Sequence, residues 1–222
     1  SNFTGSAGYA IILRDRNYLF VDGRYSIQSK IESSEHFKIL DYLKIINTSV
    51  FKNLNLGIDA SLFTSKQISR FFLNNNKITS IKENLIDKIS KKQSKKKSSF
   101  YSIDKTVTGE SHHKKISKVS SFLKRNKYDY LFVTAPENVA WLLNIRGYDS
   151  PTSPIPNSNL LLTKEKHVFL IVEKNKTTKL LSEKKLKQNQ IVNPRYILDF
   201  FEKLKKGTIL IDEKTCSLYL EK

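Results

Sequence analysis

The sequence predicts an α/β protein built from two copies of one unit, each a mixed sheet flanked by helices. Three observations carry this. Short β-rich runs alternate with amphipathic stretches along the chain. Two hairpin patterns recur, AIIL-RDRN-YLFV at 10–21 and NLLL-TKEK-HVFLIV at 159–172. Each is followed by a helical stretch and later by a strand ending in Ile-Asp, at Ile58-Asp59 and Ile211-Asp212, about 150 residues apart.

In the first copy the hairpin leads into a helical stretch, then the strands FKIL (37–40) and LGIDA (56–60), the helix SKQISRFFLNN and the strand KITSIK. In FVDGRYSIQS (20–29), Asp22-Gly23 reads either as a tight turn or as the start of a helix. The match to the second copy, where HVFLIV leads into a helix, favours the helix. Asp22 is then its N-cap, Arg24 projects from a strand-to-helix junction, and Ile27 and Ile31 are expected on the inward face.

The second copy opens with the helix SHHKKISKVSSFLKRN, capped by Ser111, the strand YDYLFVT and the helix PENVAWLLN. After its hairpin come the helical stretch TTKLLSEKKLKQ, the strand QIV (190–192), the helix YILDFFEKLKKG and the strand ILIDE (209–213). Each copy holds elements that the other lacks at the outer end, so both are expected to be cut short. We expect domains at 1–92 and 106–222, joined by a Lys/Ser-rich linker over 93–105 that has no hydrophobic period.

A chain of 222 residues with 39% hydrophobic residues can build such cores. No apolar run reaches the length of a membrane span, and the N-terminus has no signal-peptide pattern, so a cytoplasmic protein is expected. Cys216 is the only cysteine, which excludes an internal disulfide and a cysteine-built zinc site. The net charge of +18 invites a nucleic-acid reading, but 32 of the 39 basic residues are Lys. They are spread along the chain, with one cluster at 91–97, so no nucleic-acid partner is expected.

The search for a reaction centre finds none. His112 and His113 are neighbours about 100° apart on a helix and are read as solvent-facing. His36 and His167 start strands without an acidic partner, and Asp59 and Asp212 each stand alone. SNFTGSAG has neither the preceding strand nor the lysine of a phosphate loop. In WLLNIRGYDSPTSPIPNSNLLLT (141–163), three prolines stiffen a loop, with Trp141 expected in the core and Gly147 as a positive-φ C-cap. That loop is either architectural or a contact for a partner or ligand.

Several segments together resemble one family. FTGSAG (3–8) with its hairpin and DGRY (22–25), KENLIDKIS (82–90), GESHHKKISKV (109–119), TAPENVAWLLNIRG (134–147) and SPIPNS (153–158) occur in family order. They are similar to the N-terminal and middle domains of three-domain aminopeptidase P, the Xaa-Pro aminopeptidases of the creatinase/prolidase superfamily. The family often has Trp and Arg-Pro after LIDKI, where this chain reads SKKQSKKK.

The resemblance implies two tandem creatinase/prolidase N-terminal-like domains. It also implies a C-terminal pita-bread domain, outside these residues, whose two Asp, one His and two Glu hold two divalent metals, usually manganese. There a metal-bound hydroxide attacks the bond before proline. The substrate would be a peptide with proline in second position, and the full-length enzyme a homodimer. No catalytic residue or metal ligand falls in this chain, and Arg24 is the residue implied to contact the peptide. The chain would restrict access to the cleft and be inactive alone. The alternative is a stand-alone binding or scaffolding module of the same fold.

Overall fold

The computed structural model describes residues 1–47, 51–72, 76–90 and 98–221. The lysine cluster at 91–97 and residues 73–75 of the expected helix SKQISRFFLNN lie outside them. The fold is α/β, in two compact units, Ser1–Leu85 and Ile86–Lys222.

In the first unit β1 (Gly8–Ile12) and β2 (Asn17–Val21) form the antiparallel hairpin, with Gly8 opposite Val21. Tyr18 to Val21 are all buried, which is why this strand reads as a continuous apolar run and not an alternating one. A 3-10 turn (Gly23–Tyr25) leads into α1 (Ser26–Glu32), which returns the chain to β3 (Phe37–Asp41), parallel to β2. Next come α2 (Lys44–Asn47), β4 (Asn55–Ile58), α3 (Ser65–Phe71) and β5 (Lys77–Ser80), with β5 parallel to β4. Thr64 starts α3 with a full capping box against Gln67. Phe51 meets Tyr18 and Phe20 edge-on at 4.9 and 5.4 Å, forming the aromatic centre of this unit.

α1 corrects one expectation. Ile27 and Ile31 are 74% and 78% exposed, not inward. The helix instead turns Ser29 fully inward, with Tyr25, Gln28 and Glu32 half-buried around it. Gln28 and Glu32 hydrogen-bond the N-terminal segment, and those polar contacts set the rotation of this short helix.

After α4 (Leu85–Ile89), the second unit begins with β6 (Tyr101–Ser102), α5 (Lys105–Thr108) and α6 (His112–Arg125). Then follow β7 (Tyr130–Val133), α7 (Pro136–Leu143), β8 (Ile145–Arg146), β9 (Asn159–Thr163) and β10 (Val168–Ile171). A 3-10 turn (Lys174–Thr177) and α8 (Thr178–Ser182) precede β11 (Ile191–Val192), α9 (Ile197–Glu202), β12 (Ile209–Leu210) and α10 (Leu218–Glu221).

The main sheet runs β11-β10-β9-β7-β12 and is mixed. Alternation along β9 divides its two faces. Leu160 and Leu162 pack with Leu123, Val139, Leu143 and Leu180 on one side, and Leu161 packs with Phe132, Ile197 and Cys216 on the other.

The expected linker over 93–105 is corrected in its second half. Phe100 is 0% exposed, its N–H donates to Lys176 O at 2.7 Å, and Tyr101 pairs with Arg146 in a two-stranded ribbon. Two residues of β-structure anchored by one aromatic ring leave no periodic trace, so composition reads them as linker.

The C-cap of α7 is also corrected. Asn144, not Gly147, takes the left-handed conformation, at φ 53°. Gly147 is needed for a different reason: a Cβ there would stand 2.8 Å from the Phe100 ring and 2.9 Å from Pro156 Cα. Trp141 is 55% exposed and not a core residue, because α7 buries Val139, Ala140, Leu142 and Leu143 and turns position 141 outward.

The helices expected over 177–188 and 196–207 are shorter, and Lys184, at φ 54°, turns the chain soon after α8. The proline loop is tied down by Asp149, which accepts from Lys176 Nζ at 2.7 Å and from Asn157 N at 2.7 Å. Both members of the Lys176–Asp149 ion pair are largely buried.

The repeat is visible in backbone detail. Both hairpins lead through a 3-10 turn and a short helix to a strand parallel to the hairpin's second strand, with Asp22 and Glu173 at matching N-cap positions. After β4 and β12, Asp59 and Asp212 cap matching turns, accepting from Ser61 N and Lys214 N at 2.9 Å.

Candidate functional site

The strand-to-helix junction at DGRY has the geometry of a presented side chain. β2 is buried to its last residue and ends at Val21, so the chain must leave the sheet at Asp22. Asp22 is extended and its Oδ1 accepts from Arg24 N at 2.9 Å, which starts the 3-10 turn. The same carboxylate takes the Arg24 guanidinium. Nε lies 3.1 and 3.2 Å from its two oxygens, and Nη2 2.6 Å from Oδ2. The Arg24 side chain is nevertheless 75% exposed, with its Cζ 5.5 Å from the Tyr25 ring centroid. The guanidinium beside Asp22 holds its carboxyl below the usual range, and Asp22 in turn raises the Arg24 pKa.

The FTGSAG segment supports this junction. Ser6 Oγ and Tyr25 Oη are 2.6 Å apart, and Phe3 meets the Tyr25 ring edge-on at 5.5 Å. The Ser6 contact lowers the Tyr25 pKa. Glu32 accepts from Thr4 N and Thr4 Oγ1 and from Gln28 Nε2, and the Thr4 N–H bond leads in depressing its pKa. The segment resembling a phosphate loop is thus a strap across α1. Below the junction lies a cavity of about 240 Å³ lined by Ala7, Gly8, Tyr9, Phe20, Asp22 and Tyr42.

Chemically the junction can bind and orient, and it offers no group poised to exchange a proton. A guanidinium keeps its charge and presents a rigid set of donors. The Asp22–Tyr25–Ser6 arrangement around Arg24 is invisible to a motif search. The spacing Asp-x-Arg was the signal that could have disclosed the carboxylate's second contact.

Elsewhere the expected residues stay apart. Among the described residues no group of three His, Cys, Asp or Glu is placed to hold a metal ion. His36 and His167 precede β3 and β10, and His167 N donates to Thr163 Oγ1. Cys216 is fully buried, which pushes its thiol up to about 11 and leaves it a poor nucleophile.

The reading of both α6 histidines as solvent-facing is half right. His113 is exposed, but His112 is half-buried with Nδ1 3.0 Å from Lys185 Nζ. Burial first, then the Lys185 and His113 charges, lowers the His112 pKa to about 4. Its ordinary value is near 6.5, so between those values the unfolded chain binds a proton that the folded chain refuses. Stability is therefore full above about pH 6.5 and declines as pH falls toward 4. We expect His112→Gln to flatten this limb by about 1 kcal/mol, after allowance for solvent screening. Urea midpoints at pH 4.5 and 7 for both proteins check it, and parallel curves would dismiss it.

Comparison with known proteins follows the same lines. Residues 90–222 match the model of the Creatinase/Prolidase N-terminal domain family. The chain is 33% identical over 188 residues to a probable Xaa-Pro aminopeptidase P of Laccaria bicolor, covering 77% of this chain and 29% of that protein. It is 32% identical over 197 residues to Xaa-Pro aminopeptidase 1 of Dictyostelium discoideum, covering 79% and 31%. The chain thus spans just under a third of the length of these relatives. The crystal structure of X-prolyl aminopeptidase from Caenorhabditis elegans, described as a cytosolic enzyme with a di-nuclear active site, has the same fold. Its TM-score is 0.77 at 23% identity, over 90% of this chain and 35% of that one.

Proposed function

Because the chain belongs to the creatinase/prolidase N-terminal domain family, we propose that it forms the front part of a metal-dependent Xaa-Pro aminopeptidase. That enzyme releases the N-terminal residue from peptides with proline in second position. The similarity to Xaa-Pro aminopeptidases of two organisms supports the activity, and both proteins are about three times as long as the stretch matched here. In this reading the two units, Ser1–Leu85 and Ile86–Lys222, are tandem non-catalytic domains that narrow the cleft and contribute to a cytoplasmic homodimer. In this proposal the two divalent ions, manganese, are held by a separate catalytic domain; among the described residues no group of three His, Cys, Asp or Glu is placed to hold one.

The observation that carries the role of this chain is the outward, charge-held Arg24 at the DGRY junction. Arg24 donates hydrogen bonds to carbonyls of the bound peptide and so fixes its path toward the scissile bond. It moves no proton, since the guanidinium stays charged throughout the accessible pH range.

The test uses the whole gene product that carries these residues. Arg24→Ala is expected to lower kcat/KM on an Xaa-Pro peptide roughly 10- to 100-fold, the range for losing a charged hydrogen-bond donor, with metal content unchanged. Unaltered kinetics would return Arg24 to a structural role. A gene product with no peptidase activity on such peptides would overturn the enzyme reading in favour of a scaffolding module.

A further inference from the structure

We propose that Asp22 is a positioning residue for the peptide contact, holding the Arg24 guanidinium by one edge so that its other edge faces the substrate. This rests on the reading of Arg24 given above. An arginine guanidinium has two edges that present paired N–H donors, and Asp22 occupies the one formed by Nε and Nη2. Nη1 and the outer hydrogen of Nη2 form the adjacent, terminal fork, and no described residue accepts from Nη1. A long side chain that is 75% exposed would otherwise sample many rotamers.

Three features restrain it. The carboxylate that grips the head group is itself fixed, because Oδ1 also accepts the Arg24 backbone N–H. One residue thereby ties both ends of the arginine to a single point at the end of a buried strand. The Tyr25 ring, held by Ser6 and Phe3, lies against the guanidinium. Asp22 stays ionised well into the acid range because of the guanidinium beside it, so the grip persists at neutral pH.

The paired charges have a chemical consequence. The free fork belongs to a neutral ion pair, so it suits an uncharged peptide carbonyl better than a free carboxylate, which the Asp22 charge would repel.

The experiment is a double-mutant cycle in the whole gene product. Asp22→Asn keeps an equally good N-cap, but its amide cannot hold a guanidinium edge with charge. The expected result is a loss of about five- to tenfold in kcat/KM for an Xaa-Pro peptide, mostly in KM, with an unchanged melting temperature. In the Arg24→Ala background the same substitution is expected to have no further effect. If the two losses multiply, Asp22 acts on the fold and the inference is overturned. It is overturned equally if Asp22→Asn is silent while Arg24→Ala is impaired. If Arg24→Ala itself is silent, the contact assigned to Arg24 falls and this inference falls with it. The single Arg24 variant distinguishes that failure from the other two.

Discussion

Replacing Phe100 with alanine is expected to destabilise the second unit by about 3–5 kcal/mol, the range for truncating a fully buried aromatic ring. The ring is 0% exposed and stands at a crossing of three segments. Gly147 approaches it so closely that a Cβ would clash, Lys176 Nζ lies 5.6 Å from its centroid, and its own N–H is bonded to Lys176 O. The bond to Lys176 O survives truncation, because the backbone keeps it. What is lost is the packing under β8 and the proline loop, and the rigid neighbours Gly147 and Pro156 cannot close the void. Phe100→Leu should recover more than half of the loss. Urea unfolding of both variants measures this. A loss below about 1 kcal/mol for Phe100→Ala would show that residues 98–103 are only loosely attached.

Lys115→Ala has the next largest expected effect, about 2–4 kcal/mol. Lys115 is 3% exposed although it carries a charge. Its Nζ donates to Trp141 O at 2.9 Å and to Asn144 Oδ1 at 2.7 Å, and lies 4.5 Å from the Trp141 ring centroid. The cation thus sits at the carbonyl end of α7, where the helix dipole favours it. Burial lowers the Lys115 pKa, a shift that the Glu110 charge offsets only in part.

Asn144 shares the network, giving its amide to Thr108 Oγ1 and Glu110 O. Removing the lysine leaves the buried Asn144 Oδ1 without its donor and the Trp141 carbonyl with only a long 3.4 Å bond from Asn144 N. Lys115→Met, which keeps the stem, should lose about half as much. Equal losses for Ala and Met would mean that the charge and its hydrogen bonds carry the whole effect, and a negligible loss for both would refute it.

These two sites mark where the sequence was legible and where it was not. Hairpins, parallel crossovers and the long α6 announce themselves, because apolar periodicity and capping serines are local signals. β1 and β2, and β9 and β10, fall where the pattern expects them, whereas the strands before the two Ile-Asp pairs are shorter, ending at Ile58 and at Leu210. Phe100 is not legible because the two-residue strand that follows it has no period, and the partner of Tyr101, Arg146, lies 45 residues away. Lys115 went unread because lysine is the commonest surface residue of this chain, and only the fold reveals that Asn144 reaches it.

Ile27 and Ile31 mislead for the opposite reason. A hydrophobic spacing of four suggested an inward stripe, yet Thr4, Gln28 and Glu32 set the helix the other way. At DGRY the junction itself was legible from the copy in the second unit, and Asp22 was recognised as a cap. Its grip on the Arg24 side chain was not, since a motif records which residues occur and not which edge of a guanidinium is taken.

The two junctions also record how a duplicated element can diverge. Asp22-Gly23-Arg24-Tyr25 and Glu173-Lys174-Asn175-Lys176 leave their hairpins through the same turn. The first turns its basic side chain to solvent. The second sends Lys176 inward to Asp149, where it fastens the proline loop. The second junction is thus given over to holding its own domain together through a buried ion pair, while the first leaves its guanidinium at the surface.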